Sequence, residues 1–178
     1  MAPRPRAGPG WPPNRWPDQR RLYHPGVGAL VYLDVCCLKR PFDDQRASRV
    51  QLETSAVAAL IDRAERSLIR LVRSPAHLLE NQKNPREDRR LAAALWLEGA
   101  SVAVALSESV ASRARALERL GFGAFDALHA AFAEEARADW LATTDDRLLA
   151  LGKKHREHLA VVIVNPVRLL EDLIEGGE

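Results

Sequence analysis

With 178 residues, 47% of them hydrophobic, the chain is long enough for one domain with a sizeable core plus some extra length. No uncharged apolar stretch approaches the roughly 20 residues that cross a bilayer, and the start Met-Ala-Pro-Arg-Pro-Arg lacks the apolar segment of a secretory signal, so neither a membrane span nor export is expected. The net charge of +2 hides an asymmetry: residues 1–25 carry five arginines against Asp18, which leaves a slightly acidic body without the bulk positive field of a nonspecific nucleic-acid binder.

Residues 1–27 are rich in proline, glycine and arginine, a composition that cannot bury a core and reads as a disordered or extended leader. The functional alternative is a basic arm touching phosphates; the simpler one is a mobile leader or an over-extended start. The folded domain is expected over residues 28–178. Its first element is a short apolar strand, Ala29 to Leu33, closed by Asp34. The only cysteines, Cys36 and Cys37, are adjacent, which makes them poor disulfide partners, and no second pair exists to build a zinc site. They fit a reducing compartment, so a cytoplasmic location is expected.

Ser48 to Arg66 repeats apolar residues near a 3.6 period and predicts a helix. Leu68 to Val72 reads as a second strand. Ala76 to Asn84 and Arg86 to Leu97 are two helices divided at Asn84-Pro85, because proline disfavours helix in the residue before it. Val102 to Leu120 is expected to be mostly helical, and Phe125 to Arg137 is a helix with Phe125, Leu128 and Phe132 on one face. Trp140 to Thr143 is a strand, Asp146 to Lys154 a helix, Leu159 to Val164 a β-branched strand and Val167 to Ile174 a closing helix. Strands alternating with helices predict an α/β fold with a parallel sheet, whose ligands gather outside the carboxyl ends of the strands.

Acids recur at those ends. Asp34 and Asp145 follow apolar strands, Asp126 sits at a helix start, and Glu80 lies on the helix after the second strand. Each has a bland role when taken singly: Asp145 as a helix N-cap, Asp126 as a complement to the helix dipole, Glu80 as a solvated surface charge. Gathered at one edge they repel and partly protonate unless a cation offsets them. Hard oxygen ligands suit Mg²⁺ or Mn²⁺, and the missing Cys/His spacing argues against zinc. Such an ion stabilises charge on a phosphoryl oxygen, which makes phosphodiester hydrolysis a natural reaction.

The run Val31-Tyr32-Leu33-Asp34-Val35-Cys36-Cys37-Leu38-Lys39-Arg40-Pro41-Phe42-Asp43-Asp44 resembles the opening of a PIN-domain protein. Glu80 with Lys83-Asn84-Pro85, Gly121-Phe122 leading to Asp126-Ala127-Leu128-His129-Ala130, Ala138-Asp139-Trp140-Leu141-Ala142-Thr143-Thr144-Asp145-Asp146 and Val164-Asn165-Pro166 continue that pattern in order, over roughly residues 30–172. Within the family the pattern is most similar to the VapC-type toxins of bacterial toxin–antitoxin pairs. The resemblance implies a three-layer α/β/α fold and a metal-dependent endoribonuclease that leaves a 5′-phosphate and a 3′-hydroxyl. It implies Asp34, Glu80, Asp126 and Asp145 as catalytic ligands of one or two Mg²⁺ or Mn²⁺ ions, with Thr143 or Thr144 steadying them and Asp146 as a substitute acid. It also implies an RNA substrate, a cognate antitoxin protein and a homodimer.

One segment departs from the pattern. Polar Asn81 and Gln82 stand where relatives have an apolar residue directly after the acid, which leaves Glu53 as a rival to Glu80. His129, three residues after Asp126, reads as packed or capping, or as a phosphate contact. Lys39, Arg40, Lys83 and Arg147 are candidate phosphate contacts or solvated charges. The helix expected within Val102 to Leu120 offers a partner surface or simply core. Two other functions fit less of the chain: a noncatalytic PIN scaffold that binds RNA or protein, and a phosphatase-like enzyme, disfavoured because no Asp-x-Asp motif follows the first strand.

Overall fold

The computed structural model describes residues 28–176; the leader expected over residues 1–27 lies outside the described residues, as do residues 177 and 178. The strands are β1 (Ala29–Leu33), β2 (Ile69–Arg73), β3 (Val102–Ala103), β4 (Trp140–Ala142) and β5 (Val162–Val164). The helices are α1 (Val35–Lys39), α2 (Ser48–Glu65), α3 (Pro75–Gln82), α4 (Glu87–Glu98), α5 (Glu108–Arg119), α6 (Ala124–Glu135), α7 (Asp146–Lys154) and α8 (Pro166–Glu175). All strand pairings are parallel, in the order β3-β2-β1-β4-β5.

Strand β1 is central, and its sequence shows why. Every one of its residues is buried, as a parallel strand covered on both faces requires. Because side chains alternate, Leu30 and Tyr32 pack with Val110, Ala114, Leu117, Ala130, Phe132, Leu141 and Leu148. Ala29, Val31 and Leu33 face the other way, onto Leu38, Val57, Leu60, Ala93, Leu169 and Leu173. Helices α5, α6 and α7 therefore cover one face, and α1, α2, α4 and α8 the other. The result is the three-layer α/β/α arrangement expected from the sequence. Among the described residues, no helix is long and apolar enough to cross a membrane.

The elements differ from expectation in four places. Val102 to Leu120 begins with the two-residue strand β3, and its helix starts only at Glu108, where the Ser107 hydroxyl caps the Val110 amide at 3.2 Å. The short helix α1 follows directly on Asp34. Helix α6 stops before Arg137, whose left-handed backbone (φ 56°) reverses the chain. Strand β5 starts at Val162 rather than Leu159, because a 3₁₀ turn over Arg156–His158 occupies the approach.

The strand order creates the site. From β1 the chain moves to β2 on one side, whereas β4 adds on the other, so the connections leaving β1 and β4 diverge at their carboxyl ends. That crevice is a topological switch point, where open parallel sheets bind ligands. Asp34 ends β1, and Thr143 with Asp145 follows β4.

Candidate metal centre

Asp34 is fixed by the sheet itself. Its amide donates to the Ala142 carbonyl at 2.9 Å, extending the pairing one residue beyond β1. The residue is 5% exposed. Oδ2 accepts the Thr143 hydroxyl at 2.7 Å and the Cys36 thiol at 3.0 Å, while Oδ1 faces His129 Nε2 at 3.7 Å. Thr143 is held by its own amide, which donates to Val164 at 2.9 Å. A buried carboxylate with so few donors is costly without a positive partner.

Glu80 reaches the same place from the last turn of α3. Its Oε2 accepts from His129 Nε2 at 2.8 Å, and its Oε1 lies 3.6 Å from Lys39 Nζ. Partial burial pushes the Glu80 carboxyl up, but the hydrogen bond from His129 and the charges of His129 and Lys39 outweigh it, leaving the group below its ordinary value. Asp34, Glu80 and His129 each present one ligand atom, all within 4.8 Å of one another.

Asp126 enters on the first turn of α6. The turn before it needs two glycines for different reasons. Gly121 adopts φ +100°, a conformation that side chains rarely take, and a Cβ on Gly123 would stand 2.9 Å from Asp126 Oδ2. Desolvation raises the Asp126 carboxyl, and the charges of Asp34 and Asp145 raise it further, against the Gly123 amide and His129. Asp145 is exposed and caps α7, its Oδ1 accepting the Leu148 amide at 2.9 Å. The cap role foreseen for it is thus present, and its charge still acts on Asp126.

Beneath the acids lies a buried polar chain that sequence reasoning missed. His129 Nδ1 is 2.7 Å from the Tyr32 hydroxyl, which is 2.5 Å from Ser74 Oγ. Ser74 meets His77 Nδ1 through its amide at 3.0 Å and its hydroxyl at 3.3 Å, and His77 Nε2 donates to the Leu33 carbonyl at 2.8 Å. Burial drives His77 down to about 3, helped by His129, so it is neutral and its Nδ1 is an acceptor. His129 is pushed down by burial, but its bond to Glu80 and the charges of Asp34, Glu80 and Asp126 raise it overall. A signal for Tyr32 existed: it precedes Asp34 by two residues in a strand and so shares its face. His129 turns out to be both packed and part of the acidic site.

The other candidates are engaged elsewhere. Glu53, the rival to Glu80, is 1% exposed and pairs with Arg40 Nε at 2.8 Å, Arg49 Nε at 2.9 Å and Asn165 Nδ2 at 2.8 Å, on the far side of β1 from His129. Asp146 turns outward to a two-pronged pair with Arg49 at 2.6 and 2.8 Å. Arg40 is committed to Glu53, to Asp43 at 2.9 Å and to the Thr144 carbonyl at 3.3 Å. Lys83 lies 4.2 Å over the Phe125 ring, and Arg147 reaches the Gly121 carbonyl at 3.4 Å. Only Lys39 among these cations touches the acids. The polar departure after Glu80 has a structural reason: Asn81 donates to the Arg90 carbonyl at 2.9 Å and ties α3 to α4.

In comparisons with known proteins, no curated protein matched the chain. The family model of the PIN domain matches residues 31–154. That stretch runs from β1 through α7 and contains all four acids and His129. PIN domains are in general metal-dependent nucleases, and the carboxylate–imidazole cluster at the switch point is a group that can hold a metal ion. By the extent of that match and by its parallel three-layer fold, the chain belongs to the PIN domain family.

Proposed function

We propose that the protein is an endoribonuclease in which Asp34, Glu80, Asp126 and Asp145 hold Mg²⁺ or Mn²⁺, and that it serves as the VapC-type toxin of a toxin–antitoxin pair. The observation that carries the chemistry is the convergence of buried Asp34, half-buried Glu80 and His129, with Asp126 close enough that, beyond desolvation, the charges of Asp34 and Asp145 raise its carboxyl. A bound divalent cation lowers the pKa of water and stabilises charge on a phosphoryl oxygen. The donor set suits such an ion: among the described residues Asp34 Oδ1 faces His129 Nε2 at 3.7 Å, too far for a hydrogen bond, and the excess negative charge is what a cation offsets.

The chain's own residues divide the remaining work. Thr143 and Cys36 hold Asp34 in one orientation through Oδ2 and leave Oδ1 facing the cluster. Asp145 gives one oxygen to the Leu148 amide of α7, and its charge acts on Asp126. Lys39 balances part of the charge of Glu80 and stands at the edge where an RNA phosphate would approach. The cytoplasm, a homodimer and a cognate antitoxin belong to the same reading.

The test is RNA cleavage by the purified full chain. Cleavage should require Mn²⁺ or Mg²⁺ and be lost in Asp34→Asn and Asp126→Asn; wild-type-like cleavage by both variants would overturn the proposal. For the toxin role, expression should arrest growth, Asp34→Asn should not, and a small reading frame next to the gene should relieve the arrest when co-expressed. A noncatalytic scaffold draws support from one observation, that Glu80 is already engaged by Lys39 and His129. It predicts RNA binding with no turnover at any metal concentration.

A further inference from the structure

Coordination by carboxylates alone would leave His129 as packing, yet its Nε2 faces both Asp34 and Glu80. We propose that His129 Nε2 is itself a ligand of the bound cation, which makes this a mixed nitrogen–oxygen centre that favours Mn²⁺ or a similar transition-metal ion over Mg²⁺. The inference rests on the metal site proposed above and adds a ligand and a selectivity to it. Nε2 lies 2.8 Å from Glu80 Oε2 and 3.7 Å from Asp34 Oδ1, so an ion drawing those oxygens together meets the nitrogen as well. The side chain is 1% exposed, so water cannot stand in for the lost partner of a ring turned aside.

A neutral imidazole that gives Nε2 to a metal carries its proton on Nδ1, and that proton needs an acceptor. Metal-bound histidines nearly always have one. Here the Tyr32 hydroxyl, 2.7 Å away, can accept it and in turn donate its O–H to Ser74 Oγ at 2.5 Å. The Ser74 hydroxyl turns to His77 Nδ1 at 3.3 Å, and His77 Nε2 still donates to Leu33. The Ser74 amide, 3.0 Å from the same Nδ1, then shares that lone pair with the hydroxyl. Without the ion the hydroxyls point the other way: Ser74 donates to Tyr32, Tyr32 to Nδ1, and Nε2–H to Glu80. The Tyr32 hydroxyl can accept from Nδ1 or donate to it, so the group behind His129 suits a ring that gives Nε2 to an ion.

The chemistry of the donors sets the preference. Imidazole binds first-row transition metals well, while magnesium is held by carboxylates, carbonyls and water. Removing the nitrogen should weaken Mn²⁺ much more than Mg²⁺.

Pulsed electron paramagnetic resonance on the Mn²⁺-loaded full chain reads the bond directly. Wild type should show modulation from a directly bound ¹⁴N nucleus. Growth with ¹⁵N-histidine should replace that pattern with the ¹⁵N one, a control that needs no substitution and so does not depend on a variant folding. His129→Gln should lose the nitrogen signal, and Tyr32→Phe should weaken Mn²⁺ about tenfold by calorimetry, the size typical of losing a partner behind a ligand. Mn²⁺ bound in an Asp34-dependent manner with no nitrogen coupling would overturn this inference and leave the proposed nuclease intact. Failure of wild type to bind Mn²⁺ or Mg²⁺ at all would overturn both.

Discussion

Asp126 is the residue at which stability and chemistry pull apart. Its carboxyl is raised in the folded chain by desolvation and by the charges of Asp34 and Asp145. The folded state thus holds its proton more tightly than the unfolded chain, where the value is about 3.9. A raised value contributes stability that is complete below the unfolded value and is lost as pH rises through the folded one. At neutral pH, without metal, ionised Asp126 is a destabilising charge. Asp126→Asn should therefore melt at a higher temperature than wild type at pH 7 in the presence of a chelator. The gap should close below about pH 4, where both states are protonated. Scanning calorimetry at the two pH values checks the sign, and a variant that melts lower at pH 7 would refute it. Since the same substitution should abolish cleavage, the pair of results would mark a site that sacrifices stability for function. The other acids were equally visible in the sequence as residues, but not as a group. Asp34 and Asp145 were legible because each follows an apolar run. The partnership of His129 with Glu80 was not, because it depends on α3 packing against α6, a contact between residues far apart in the chain.

Elements place these side chains, and the turn into α6 is the most exacting. Gly123 leaves room for the Asp126 carboxylate, since a Cβ there would stand 2.9 Å from Oδ2. The atom displaced is the end of a side chain rather than backbone, so Gly123→Ala should fold but shift the acid. A mispositioning of about 1 Å costs roughly a hundredfold in rate. We expect a loss of that order in kcat with the melting temperature within a few degrees of wild type; unchanged kcat would show that the acid can move freely. Strand β4 provides the contrasting case. Leu141 is completely buried among the residues of the α5–α6–α7 face, and Leu141→Ala should cost about 2–5 kcal/mol in chemical denaturation. Long periodic helices such as α2 and α6 were readable from their spacing. Helix α1 was not, because Val35-Cys36-Cys37-Leu38-Lys39 is a single buried turn with no side-chain cap. Strand β3 was not either: two residues are too few for an alternation to register.

At the scale of the whole molecule, the sequence determined the layer order through one rule, that strands separated by helices pair in parallel. Asp34 at the end of β1 and Asp145 just after β4 fall at the switch point that this strand order creates. The proposed ligands come from the end of β1, α3, α6 and the turn after β4, so an ion held by them would link segments across the fold. Binding should therefore stabilise the entire domain. At a hundredfold excess over Kd the gain is about 2.7 kcal/mol, or roughly 5–10 °C in Tm for a domain of this size. Thermal melts with increasing Mn²⁺ should show that rise in wild type and a flat response in Asp34→Asn. A rise of equal size in the variant would place the ion elsewhere.

The uniform direction of the strands has a further consequence. The sheet has one chemical rim and one blank rim. Gly28 joins β1 at the blank rim, packed so closely on Leu68 that a Cβ would come within 2.7 Å of its carbonyl oxygen. Whatever is attached ahead of Gly28 starts a full strand length from the acids, about 17 Å for five residues. A basic arm serving the site would have to climb that distance along the outside of a helical layer. A reporter domain fused at the same point would stand clear of the cleft, so such a fusion should leave cleavage unchanged and give a handle on the protein that the substrate never meets.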